Sequence, residues 1–246
     1  MEPLVAPCLL TDNSAPYYFS ALFVRLDSSY QSILELSGGV FGYNDEYSLS
    51  GYHCMKIYLK ALVMENAHAL EVPFFKKQVR TGSHANSISA LCDGTVDVVA
   101  IDCNVLAKLK QDIEWQEKLS RLRMLHISKV SMQVLDKTSG AQHICHVATD
   151  GLLGPHPSQP IVAAKAVDQQ TKKLFKNALL NLDCRSVAHL GISGYFEVDE
   201  GFYLKTKLLL DLVRHDRIAE CSSLYSSPND VRYLCTDCGI SSSIVD

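Results

Sequence analysis

The chain has 246 residues, a formal net charge of -4 and 47% hydrophobic residues. That length suits one large or two small domains with a sizeable core, and the acidic balance excludes the basic face that general nucleic-acid binding requires. No apolar run is long enough to cross a bilayer, residues 1–10 lack the pattern of an export signal, and the nine cysteines are dispersed rather than laid out as a disulfide framework; the expectation is a reduced, cytoplasmic protein.

Residues 1–15 contain Pro3 and Pro7 and read as irregular. Residues 17–25 are aromatic and β-branched, as strands are. Residues 32–36 form a short helical turn, ended by Gly38 and Gly39. Val40 and Phe41 begin a short buried strand, which Asn44 and Asp45 stop. Ser48, Ser50 and Gly51 then precede a helix over about 52–66, where Tyr52, Met55, Leu59 and Leu62 recur on one face. Residues 77–81 make a strand, followed by Gly82, Ser83, His84 and a helix carrying Ile88, Leu91 and Cys92, with Gly94 as its stop. The near-continuous apolar run 96–101 is the clearest strand, suited to a sheet covered on both faces, and it ends at Asp102.

Residues 104–118 are charged and helix-permissive, and 122–127 form another strand. Residues 130–135 and 143–148 suit a hairpin or an elaborated loop. The proline-rich stretch 154–160 reads as irregular, and 161–164 as a short strand. Asp168 caps an amphipathic helix whose Leu174, Phe175, Ala178, Leu179 and Leu182 are expected to face inward. A leucine-rich helix spans 201–214, and the Ser/Cys-rich end reads as a loose tail. Strands alternating with helices indicate an α/β fold with mainly parallel sheets.

In open α/β sheets, ligands bind beyond the carboxyl ends of the strands. Three such ends carry polar groups: Ser48, Ser50 and Gly51; Ser83 and His84; and Asp102. As parallel neighbours they would face one crevice, with two helix N-termini, hydroxyls and an imidazole turned to an anion, phosphate above all. Asp102 would accept a hydrogen from a protonated ligand oxygen or an amine, or orient His84 or a serine. The plainer reading makes each serine a helix cap and Asp102 a turn former. Other candidates are Cys235-x-x-Cys238 or His143-x-x-His146 with His156 as metal ligands, and Cys103 as a nucleophile; all have generic spacing, and no metal or cofactor is expected.

Six segments in order carry a resemblance: 16–20 (PYYFS), 24–28 (VRLDS), 43–45 (YND), 48–52 (SLSGY), 82–84 (GSH) and 94–102 (GTVDVVAID). The chain resembles the phosphate/phosphite/phosphonate (PhnD-like) substrate-binding proteins of ABC transporters. The resemblance implies the type 2 periplasmic-binding-protein fold: two α/β lobes on a hinge, with the ligand closed between them. It implies ligand contacts at Ser48, Leu49 (through its backbone), Ser50, Gly51, His84 and Asp102, with Tyr18 on the hinge strand and Tyr17 as its alternative. The resemblance divides the chain into 1–36 (first lobe and hinge strand), 37–127 (second, anion-binding lobe), 128–215 (return to the first lobe) and 216–246 (tail). Too few residues precede Pro16 to supply the family's initial strand–helix–strand unit, so the first lobe is expected to be incomplete. The implied function is non-catalytic binding of a small oxyanion, with an ABC permease as partner; the alternatives are an enzyme on the same fold acting on a phosphorylated or pyrimidine small molecule, or a truncated relative with no ligand.

Overall fold

The clearest apolar run becomes the middle of a sheet. Val98–Asp102 (β5) is buried along almost its whole length. It lies between Val40–Tyr43 (β3), which is parallel to it, and Tyr17–Arg25 (β2), which is antiparallel. The structure is a computed structural model and describes residues 1–9, 15–65 and 73–214. The expected tail, with Cys235 and Cys238, lies outside the described residues.

Lys77–Arg80 (β4) extends the sheet beyond β3, in parallel. Beyond the other edge of β2 follow Leu152–Pro157 (β9), Gln142–Thr149 (β8) and Val130–Leu135 (β7), giving the order β4-β3-β5-β2-β9-β8-β7, with Leu122–Met124 (β6) also paired to β2. A smaller sheet has Glu2–Leu9 (β1) between Ile161–Ala163 (β10) and Ile192–Glu197 (β11). Among the described residues, parallel pairing is confined to β3 with β4 and β5, and every other pair is antiparallel. The expectation of mainly parallel sheets is corrected accordingly. Strand–helix–strand crossovers give adjacent parallel strands within residues 40–102, whereas the later helical connections, from β5 to β6 and from β10 to β11, place their strands on opposite sides of an antiparallel strand. The expected lobe boundary at residue 127 is not a change of sheet, because β7, β8 and β9 continue the sheet that holds β3–β5.

Helices cover both faces of the large sheet. A turn of π-helix, Leu49–His53, runs into Cys54–Glu65 (α1), which packs Met55, Tyr58 and Leu59 against Leu22, Phe41, Val98 and Ala100. On the other face, Ile88 and Leu91 of His84–Cys92 (α2) and Leu106 of Cys103–Leu109 (α3) meet Val99 and Ile101. The expected helix 104–118 is broken in two, because Asp112 caps Ile113–Ser120 (α4) by accepting from the Glu114 N–H at 2.9 Å.

Gln169–Leu180 (α5), capped by Asp168 as expected, and Cys184–Val187 (α6) lie on the small sheet. Leu204–Arg214 (α7) returns to the large one, where Leu209 and Val213 join the cluster around α1. Two further readings are corrected. Residues 2–9 and 152–157 are strands despite their prolines, and α5 turns Leu174 and Phe175 outward, 65% and 50% exposed.

Candidate functional site

Because β4, β3 and β5 are adjacent and parallel, their carboxyl ends open at one place. The polar residues there first satisfy their own backbone. Ser48 Oγ accepts the Gly51 N–H at 3.0 Å, Ser83 Oγ accepts the Asn86 N–H at 3.0 Å, and Asp102 Oδ1 accepts the Asn104 N–H at 2.8 Å. The capping reading therefore describes all three in this structure.

A second set of groups converges instead of capping. Ser50 Oγ lies 3.3 Å from His84 Nε2, and Asn44 Nδ2 reaches the same nitrogen at 3.3 Å. An amide nitrogen only donates, so Nε2 is the acceptor and the imidazole is neutral. Burial holds the His84 pKa below its ordinary value, opposed by the Asp102 carboxylate and the Ala100 backbone. Tyr18, from β2, hydrogen-bonds the Ser50 hydroxyl; burial raises its phenol, with Asp102 adding to the rise. Asp102 reaches this corner because it stands opposite Ser20 in the β5–β2 ladder. The Cys54 thiol donates to the Ser50 carbonyl at 2.9 Å and fastens the first helical turn.

Gly51 has a steric reason to be glycine. A Cβ there would lie 1.9 Å from Asn44 Oδ1 and 3.0 Å from His84 Cε1. The backbone passes directly under the Asn44–His84 pair, and any side chain would displace it.

Of the seven residues expected at the site, Tyr18, Ser50, Gly51, His84 and Asp102 are brought together. Ser48 caps the adjoining turn. The Leu49 side chain packs against the core, and its carbonyl accepts the Cys54 N–H. Tyr17, the alternative to Tyr18, meets Phe202 at 5.2 Å on the other face. Asn44 was readable only as a turn former, and no spacing in the sequence connects it to His84. The three histidines considered as metal ligands are not assembled: the His146 ring bonds Ser131 Oγ, while His156 packs on Tyr18. No group of three or more His, Cys, Asp or Glu suited to a metal occurs among the described residues. Cys103 opens α3, directly after Asp102.

A cavity of about 430 Å³ lies at the far end of β2, lined by Arg25, Asp27, Cys92, Gly94 and Arg121 among others. Seven residues of strand, roughly 23 Å, separate Arg25 from Tyr18. Its guanidinium groups are already engaged: Arg121 donates to the Cys92 carbonyl at 3.2 Å, and Arg25 to the Val96 carbonyl at 3.4 Å. The strand-end cluster, not this cavity, gathers donors around one point.

A family model described as the periplasmic substrate-binding protein of phosphonate ABC transporters matches residues 2–203. The chain belongs to this family. As a phosphonate-family binding protein it is a non-catalytic solute binder, and the family implies a small ligand and a permease partner. Solved structures share its fold. A binding-protein component of the ABC phosphonate transporter of Pseudomonas aeruginosa superposes with a TM-score of 0.63 at 18% identity, over 97% of this chain and 71% of that one. PhnD1 from Prochlorococcus marinus, in complex with methylphosphonate, gives 0.58 at 15% identity, over 87% of this chain and 72% of that one. A search of curated proteins found no match. No helix among the described residues is long and apolar enough to cross a membrane.

Proposed function

We propose that this phosphonate-family binding protein holds a small phosphorus oxyanion (phosphate, phosphite or a phosphonate) at the ends of β3, β4 and β5. The observation that carries the proposal is the convergence of Ser50 Oγ and Asn44 Nδ2 on His84 Nε2, beside Tyr18 and at the start of α1. Asn44 Nδ2, the Ser50 hydroxyl and the main-chain N–H groups of residues 49 and 50 are neutral donors, and donors fixed at a helix start suit an anion. Arg80, the cation at the end of β4, is held at the rim by Asp45. Asp102 supplies an acceptor, so the site favours an oxyanion that keeps a proton to donate. Sulfate, which has none at neutral pH, is disfavoured.

Tyr18 lies near the start of β2, at the end of the large sheet that adjoins the small one, whereas Ser50 and His84 lie on the loops of the large sheet. A ligand touching both stabilises the closed arrangement over the open one, and binding acts by population shift. The test is thermal unfolding with phosphate, phosphite, methylphosphonate and sulfate. A ligand at a hundred times its Kd adds about 2.7 kcal/mol, a plainly raised midpoint. Ser50→Ala and His84→Ala should each lose about 1–3 kcal/mol of binding. A midpoint unmoved by every phosphorus oxyanion would sink the proposal.

A further inference from the structure

The strand crossing beside Tyr18 carries polar groups that the oxyanion reading does not use. In the β2–β9 ladder, Tyr18 stands opposite His156, and their rings meet at 5.2 Å. Directly opposed residues share a face of the sheet, and so do residues two apart in a strand. Tyr18, His156 and Ser158 therefore form a row on one face.

His156 is 6% exposed and Ser158 is 2% exposed. His156 Nε2 and Ser158 Oγ have no hydrogen-bond partner among the described residues. The backbone of Ser158, in contrast, is fully engaged: its N–H donates to the Pro16 carbonyl at 2.8 Å, and its carbonyl accepts from the Tyr203 hydroxyl at 3.0 Å. The strand is thus clamped while the polar side-chain atoms it carries are left unmet. Buried polar atoms are seldom left so unless something else meets them. Burial pushes the His156 pKa down to about 4, so the ring is neutral and offers one N–H and one lone pair. The ladder is also irregular here, shifting register between Tyr18 and Ser20. Such breaks in strand pairing are common beside functional sites, where they re-aim side chains.

Unmet polar atoms thus stand on both sides of Tyr18. Asn44 Oδ1 lies on the side of the large sheet's loops, and His156 and Ser158 lie at the crossing. One inorganic oxyanion has no second end to place there. We infer that His156 and Ser158 form a second polar subsite, which hydrogen-bonds a hydroxyl group on the organic part of a phosphonate whose oxyanion sits at Ser50 and His84. The inference rests on the oxyanion reading and narrows it to a substituted organophosphonate.

The experiment compares methylphosphonate with 2-hydroxyethylphosphonate by calorimetry on the full chain, in the parent and in His156→Phe, which keeps a ring against Tyr18 and removes the polar atoms. The parent should bind the hydroxylated ligand more tightly. His156→Phe should lose at least tenfold for the hydroxylated ligand, hold methylphosphonate within threefold, and melt no lower than the parent. Equal affinities for both ligands in the parent overturn the subsite, as do unchanged affinities in the variant. An equal loss for both ligands also overturns it, since His156 would then only support the strand. If His156→Phe does not melt cooperatively, Ser158→Ala is read by the same criteria. A parent that binds inorganic phosphate but neither phosphonate overturns the subsite and leaves the oxyanion reading standing; a parent that binds no phosphorus oxyanion overturns both.

Discussion

Gly51 is where local conformation and the site depend most directly on each other. Adding one methyl group puts a carbon 1.9 Å from Asn44 Oδ1, so Gly51→Ala must push Asn44 away and break its contact with His84. The expected outcome is a loss of at least tenfold in oxyanion affinity, read by calorimetry, while Ser48→Ala mainly removes a cap and costs about 1 kcal/mol of stability. Equal affinity in Gly51→Ala and the parent would show that the Asn44–His84 pair has no part in binding. A second residue-scale consequence concerns acid. His156 titrates near pH 4 in the folded chain against an ordinary value of 6.5. As pH falls below 6.5 the unfolded chain gains a proton there that the folded chain refuses, so stability is full above 6.5 and declines down to about 4. The loss is about 3 kcal/mol. Urea midpoints between pH 7 and 4.5 should therefore fall less steeply in His156→Phe than in the parent. The sequence exposed some of these residues and hid others for one reason. Ser48, Ser50 and Gly51 sit together before a helix, a local pattern, whereas Asn44 and His156 matter through partners 40 residues or more away in the chain.

Elements were legible where a single periodicity ran unbroken. The apolar run of β5 and the three-and-four spacing of α1 and α2 needed no tertiary information. β1 and β9 were hidden by Pro3, Pro7, Pro155 and Pro157, since proline argues against a central strand. Both strands have irregular ladders, with register shifts after Pro3 in β1 and opposite residues 153–156 in β9. α5 shows a different limit: periodicity reveals that a helix has two faces, not which one packs. Here the small sheet seats the polar face. Lys172, 5% exposed, pairs with Glu2 at 2.6 Å, and Lys176 pairs with Glu197 at 2.6 Å. Three strands give α5 little apolar surface to cover, and Val162 and Phe196 of that sheet are themselves exposed. Urea denaturation should therefore find Leu174→Gln and Phe175→Gln within about 0.5 kcal/mol of the parent. Leu59→Ala, inside the α1 cluster, should cost about 2–5 kcal/mol. A comparable loss for Leu174→Gln would mean that α5 buries its apolar stripe in solution.

At the scale of the whole molecule, the two sheets are unequal, and what joins them passes through the site. β2 enters the large sheet at Tyr17 and Tyr18, β9 leaves it at Pro157, and Ser158 is tied both to Pro16 and to Tyr203. The ligand proposed at Ser50, His84 and Tyr18 would therefore bear on the segments that join the two sheets. Because a ligand shifts an equilibrium only by its differential affinity for the two states, compaction should track occupancy and not the mere presence of anions. Small-angle scattering should show a radius of gyration that falls as a phosphorus oxyanion is titrated in, saturates with the calorimetric Kd, and stays constant in sulfate. Ser50→Ala should need proportionally more ligand to reach the same compact endpoint, since the variant weakens the contact without altering the hinge. A radius unchanged at full occupancy would mean that this chain binds without closing.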